Sequence, residues 1–114
     1  MKYGAKKTVC GQLHTHDSKL EAARCDQLHL MQRMGDITHL QVHPQFWFVI
    51  NGEQLKHDNG RRVGYKADFQ YFCGDKNVVE DCKGFITSDW PLRKAIFKAL
   101  FPHIELREVT KIVR

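Results

Sequence analysis

Apolar residues first recur at helical spacing between Ser18 and Gly35, where Leu20, Ala23, Leu30, Met31 and Met34 form a stripe. Ser18 and Glu21 fit a Ser-x-x-Glu capping box at the start of this helix, and Gly35 stops it. The period then changes to two. Leu40, Val42, Phe46, Phe48 and Ile50 alternate with mostly polar neighbours and predict a strand, with Pro44 implying an edge position or a bulge because proline cannot donate to a ladder. Asn51-Gly52 and Asn59-Gly60 frame a polar, basic connection containing Lys56, Arg61 and Arg62. In the next strand Tyr65, Ala67, Phe69 and Tyr71 share one face while Lys66, Asp68 and Gln70 share the other. Gly74-Asp75 turns the chain into a third strand, Asn77 to Lys83, which Gly84 ends. Thr87 to Asp89 cap a second helix with Pro91 in its first turn; Leu92, Ala95, Ile96, Ala99 and Leu100 form its apolar stripe, with Arg93, Lys94 and Lys98 outside it. A last strand is expected from Ile104 to about Val109, with an extension to Val113 left open.

The order helix, three strands, helix, strand predicts an α/β fold: a small mixed β-sheet flanked by helices, in one domain over 1–114 with a basic N-terminal arm over about 1–16. A hydrophobic share of 42% and a charged share of 27% are those of a soluble globular protein. The longest apolar run, Phe46 to Ile50, is too short to span a bilayer, and the lysines after Met1 lack the apolar stretch of a signal peptide. No membrane association and a cytoplasmic location are therefore expected. The four cysteines form no C-x-x-C pair and read as free, half-buried thiols; a zinc site can be drawn from Cys10, His14, His16 and Cys25, although the spacing matches no common ligand pattern. The scatter of the seven histidines fits surface or capping roles. A net charge of +5 favours a polyanionic partner, although solubility alone accounts for such a charge.

Candidate chemistry concentrates in the second and third strands. Asp81 and Lys83 lie two residues apart and so point the same way from a strand rich in valine and cysteine. Burying such a pair is costly, which marks it as part of a site. Glu80 beside Asp81 leaves open which acid faces that site; parity with Lys83 selects Asp81, and a bulge would reverse the choice.

Ser18-Lys-Leu-Glu21-Ala22, Tyr65-Lys-Ala-Asp68-Phe69, Val79-Glu-Asp81-Cys-Lys83-Gly84, Thr87 and the basic second helix together resemble the PD-(D/E)XK nuclease superfamily, and within it a phage-encoded group of small nuclease-like proteins. Ala67 stands where that superfamily often has proline. The resemblance implies a restriction-endonuclease-like core and a Mg²⁺-dependent DNA endonuclease, with Mn²⁺ able to substitute. By the same resemblance Glu21, Asp68, Asp81 and Lys83 are catalytic, and Asp68, Asp81, Glu21 and the Cys82 carbonyl hold the metal. It further implies a homodimer acting on branched DNA, as Holliday-junction resolvases do. Lys6, Lys7, Arg61, Arg62, Thr87, Arg93, Lys94 and Lys98 are the expected DNA contacts. Simpler readings stand beside these. Glu21 fits a helix cap, the two aspartates could pair with Lys66 and Lys83, the basic helix face fits ordinary solvation, and Trp47 and Trp90 fit packing. An inactive adaptor of the same fold, binding nucleic acid or protein, is the alternative function.

Overall fold

Five consecutive residues, Val78 to Cys82, are buried, a pattern that arises only in a strand covered on both faces. The computed structural model describes residues 7–12, 14–16, 18–83 and 86–112, and that strand is the centre of its mixed α/β architecture. In chain order the elements are β1 (Thr8–Val9), β2 (Thr15–His16), α1 (Lys19–Arg33), β3 (Thr38–Val42), β4 (Gln45–Trp47), β5 (Val49–Ile50), β6 (Glu53–Gln54), β7 (Gly64–Lys66), β8 (Phe69–Cys73), β9 (Lys76–Cys82), α2 (Trp90–Leu100) and β10 (Ile104–Val109). The main sheet has the order β10-β9-β8-β3; β10 runs parallel to β9, and the other pairs are antiparallel. Among the described residues no helix is long and apolar enough to cross a membrane.

Alternation along β9 divides the core in two. Val78 and Cys82 join Ala22, Cys25 and Leu28 of α1, together with Ile37, Phe69 and Tyr71. Val79 joins Trp90 and Phe97 of α2, together with Phe48, Tyr65 and Ala67. Each helix thus covers one face of the sheet, and each core supplies the apolar burial that an element of this size needs.

Several expected patterns are displaced by this packing. The buried face of α1 is Glu21, Ala22, Cys25 and Leu28, while Leu30 and Met34 of the expected stripe are exposed. In α2 the anchors are Trp90 and Phe97, and Leu92 is 69% exposed. The strand expected over Leu40–Ile50 is broken into β3, β4 and β5, with left-handed backbone at His39, His43 and Asn51. The strand over Tyr65–Phe72 is likewise broken between β7 and β8: Tyr65 and Ala67 enter the α2 core, but Phe69 and Tyr71 enter the α1 core. Asp68 sits at this change of face, where period-two reasoning fails. The N-terminal segment is no arm from residue 8 onward, because β1 and β2 pair and Cys10 and His16 are buried. Lys6, Gly84 and Val113 lie outside the described residues.

The break is locally determined. The His43 N–H donates to the Asp68 carbonyl at 2.9 Å and the Ala67 N–H to the Pro44 carbonyl at 3.0 Å, so the two interrupted strands cross-pair at their breaks. At Gly64 a Cβ would stand 2.5 Å from the Phe46 carbonyl oxygen; only glycine permits β4 and β7 to approach this closely.

Candidate functional site

The interruption between β7 and β8 turns Asp68 toward the carboxy-terminal end of β9. Its Oδ2 accepts the Cys82 N–H at 2.6 Å, and its carboxyl interacts electrostatically with those of Glu21 and Asp81. Asp81 Oδ2 is 2.6 Å from Lys83 Nζ. Lys83 Nζ also sits 3.7 Å from the centre of the Trp90 ring, a cation–π contact that holds the ammonium over the indole. The structure therefore brings together Glu21 from α1, Asp68 from the break, and Asp81 and Lys83 from the end of β9. Glu80 points the other way, where Arg24 Nε and Nη2 reach its carboxylate at 2.7 and 2.6 Å and the Tyr71 hydroxyl also donates to it. Asp81, and not Glu80, faces Asp68.

Burial and like charge mark the cluster electrostatically. Burial, followed by the neighbouring Glu21 carboxyl, raises the pKa of Asp68 to about 6, against the pull of Asp81 hydrogen bonding and the Cys82 N–H. Burial, then the charge of Asp68, raises Asp81 to about 6, opposed by Lys83. Burial, followed by the charges of Asp81 and Asp68, pushes the pKa of the Tyr65 hydroxyl upward. Burial and surrounding carboxylates likewise push the Cys82 thiol up.

Asp68, Asp81, Lys83 and Tyr65 line a cleft of about 560 Å³. Lys7, Lys66 and Arg93 line it together with His43, Thr87, Asp89 and Trp90. Two expected contact residues are less available than their positions imply. The guanidinium of Arg93 donates to the Gly64 carbonyl and pairs with Asp89 at 3.0 Å. Lys94 Nζ is 2.7 Å from Glu108 Oε2, and Glu108 Oε1 accepts the Trp90 indole N–H at 2.7 Å. Thr87 Oγ1 donates to Asp89 at 2.6 Å, Arg62 lies 4.0 Å over the Trp47 ring, and Arg61 and Lys98 are exposed. Cys82 contributes its backbone N–H to Asp68, and its side chain is buried.

Histidines are the main omission of sequence reasoning. Far from scattering over the surface, His14, His16, His29 and His43 converge, with neighbouring ring centroids 5.4–6.0 Å apart. The buried His16 Nδ1 pairs with Glu21 Oε2, and His43 Nε2 approaches the same oxygen at 2.8 Å. Ser18 Oγ accepts the Glu21 N–H at 3.1 Å as a cap should, but the Glu21 carboxylate is buried between histidines and aspartate. The capping sequence was visible; the long-range partners of its carboxylate left no local pattern.

The fold and this site define a class of protein: a mixed α/β domain whose two helices and interrupted sheet hold buried carboxylates and a lysine at the floor of an open, lysine-rimmed cleft. The chain belongs to the DUF1064 family, described as a protein of unknown function, whose model matches residues 1–114. No curated protein and no solved structure matches the chain.

Proposed function

We propose that the protein is a metal-dependent DNA endonuclease with a restriction-endonuclease-like core. The observation that carries this reading is the meeting of Asp68 and Asp81 beside Lys83 at the floor of the cleft, with both aspartates raised to about pH 6 by burial and carboxyl neighbours. Such a pair is poorly suited to stabilising a fold, because its ionised forms repel one another in a desolvated place. It is well suited to a hard divalent cation, and the all-oxygen carboxylate set matches Mg²⁺ or Mn²⁺. Asp68 and Asp81 would hold that ion, with Glu21 behind Asp68; when bound, such an ion acidifies a water and offsets charge on a phosphate.

The protein's own groups have separate tasks. The Cys82 N–H fixes one oxygen of Asp68, leaving its carboxylate oriented at the end of β9. Lys83, held between Asp81 and the Trp90 face, donates to the attacking water or to phosphate oxygens on which charge develops. Lys7 and Lys66 line the cleft where a sugar-phosphate backbone would pass. The sequence carries no recognisable groove-reading motif, which favours structure-selective cutting over recognition of a long base sequence. We take branched DNA as the preferred substrate and a homodimer as the acting species.

The test is cleavage of labelled duplex, single-stranded, flap and four-way-junction DNA with Mg²⁺, Mn²⁺ or neither, at protein concentrations where the oligomeric state is measured in parallel. Metal-dependent cutting, greatest on branched DNA, is expected, with loss in Lys83→Ala. Binding without cutting of any substrate would replace the nuclease by a nucleic-acid adaptor.

A further inference from the structure

Behind Glu21, on the side away from the cleft, lies a second cluster whose donors are sulfur and nitrogen. Cys10, His14 and His16 come from the β1–β2 hairpin, and Cys25 comes from the second turn of α1. One ligand atom from each of the four lies within 4.8 Å of every other. The individual separations are more telling. Cys10 Sγ is 3.5 Å from Cys25 Sγ, while His14 Nδ1 is 3.7 Å from the first sulfur and 3.4 Å from the second. A tetrahedral zinc ion, with Zn–S near ~2.3 Å and Zn–N near ~2.0–2.1 Å, requires sulfur–sulfur edges of about 3.8 Å and sulfur–nitrogen edges of about 3.6 Å. The observed edges match to a few tenths of an ångström. The two sulfurs are too far apart for a disulfide, whose bond is about 2.05 Å.

We infer that Cys10, His14, His16 and Cys25 form a structural zinc site that clips the N-terminal hairpin to α1. This assignment does not depend on the nuclease reading. Buried cysteines often serve simply as small apolar side chains, but here the two sulfurs have two imidazoles gathered round them, and apolar packing requires no imidazole. The clip also meets a physical need. A hairpin of two two-residue strands is far too short to stand alone, and the Cys10 N–H to His14 carbonyl bond at 3.0 Å closes only its turn. The ligand geometry supplies an orienting partner as well. His16 Nδ1 is held by Glu21, so Nε2 is the ring atom assigned to zinc, giving the carboxylate–histidine–metal relay that fixes a ligand's tautomer and raises its basicity. His29 Nδ1 also approaches Cys25 Sγ, at 3.6 Å, but it is outside the set, since it faces the Cys25 carbonyl at 2.8 Å and does not converge with the other three donors. On binding, both thiols release protons to solvent, with no change of oxidation state.

The deciding measurement uses the intact wild-type protein, purified without chelator, and counts zinc by mass spectrometry of the metal. One zinc per chain is expected. Removal of that zinc and titration with Co²⁺ should give the intense visible bands of tetrahedral cobalt with ultraviolet thiolate-to-cobalt charge transfer. Cys25→Ser and His14→Asn should each weaken zinc binding by more than the ~10–100-fold typical of losing an outer partner, whereas Cys73→Ser and His29→Asn should retain it. Absence of zinc together with absence of the cobalt–thiolate signature in wild-type protein would overturn the site, as would an intact mass two hydrogens light that shows Cys10 joined to Cys25. Loss of metal in His29→Asn with retention in His14→Asn would overturn the ligand set. Asp81→Asn retains zinc whether or not the cleft cleaves DNA, so failure of the nuclease reading and failure of this one are separable.

Discussion

Two clusters meet at Glu21 and differ in almost every chemical respect. Toward the cleft stand Asp68 and Asp81, hard oxygen donors opening to solvent; behind stand Cys10, Cys25, His14 and His16, softer donors of which three are fully enclosed and one is half-buried. The first set matches an ion that keeps water and exchanges readily, the second an ion held for the life of the fold. Glu21 Oε2 pairs with His16, and the same carboxyl raises Asp68. One buried carboxylate thus contacts both clusters. On the proposed assignments donor type would separate the two metals, since thiolate and imidazole donors favour zinc and carboxylate oxygens favour magnesium.

The sharpest way to break this contrast is Asp81→Asn. It should lower single-turnover cleavage on the order of 100- to 1,000-fold while leaving zinc content unchanged. Glu80→Gln, one residue away on the opposite face, should do the reverse: it leaves Arg24 partly buried without its full counter-charge, so denaturation should show a loss of about 3 kcal/mol, with cleavage retained where the protein is folded. Equal catalytic losses from the two changes would dissolve the distinction between faces.

Glu21→Gln tests the coupling. Zinc affinity, measured by competition with a chromogenic chelator, should fall ~10–100-fold as for other outer carboxylates, and cleavage should fall with it. An effect on only one of the two would disconnect the clusters.

The smallest expected effect concerns pH and stability in the absence of added Mg²⁺. Asp68 titrates near 6 in the folded protein but near ~3.9 unfolded. Between those values the folded state binds more protons, so its stability falls as pH rises from about 4 and the loss is complete above about 6. Asp68→Asn escapes this loss. Thermal melts should show the variant more stable than wild type by ~1–2 kcal/mol above pH 6, with the advantage gone below about pH 4. Added Mg²⁺ should narrow the gap at neutral pH by stabilising wild type alone.

Patterns local to one unbroken element were legible. Ser18 caps α1 and Gly35, in left-handed conformation, follows its end; Pro91 lies in the first turn of α2; and β10 covers Ile104–Val109 as its apolar residues indicated. Parity placed Asp81 with Lys83 and away from Glu80, because β9 runs without a bulge and period two holds along it. The same logic failed across Asp68, where the chain changes face, and across His43, where left-handed backbone separates β3 from β4. Of the expected helix stripes, Leu20, Met31, Ile96 and Leu100 do pack on the cores, but Leu30, Met34 and Leu92 are exposed and look no different in sequence from core residues.

Donor identity, charge and the short Asp-x-Lys spacing belong to the covalent chain and could be read without a fold. Proximity belongs to the tertiary structure. Cys10 and Cys25 meet because a hairpin docks on a helix, and Glu21 meets His43 because α1 packs beside the break in the sheet. Such contacts join residues with no shared period, and the raised aspartate pKa values arise only once those contacts have expelled water. Chemistry was therefore legible in the residue types, but which residues act together was decided by burial.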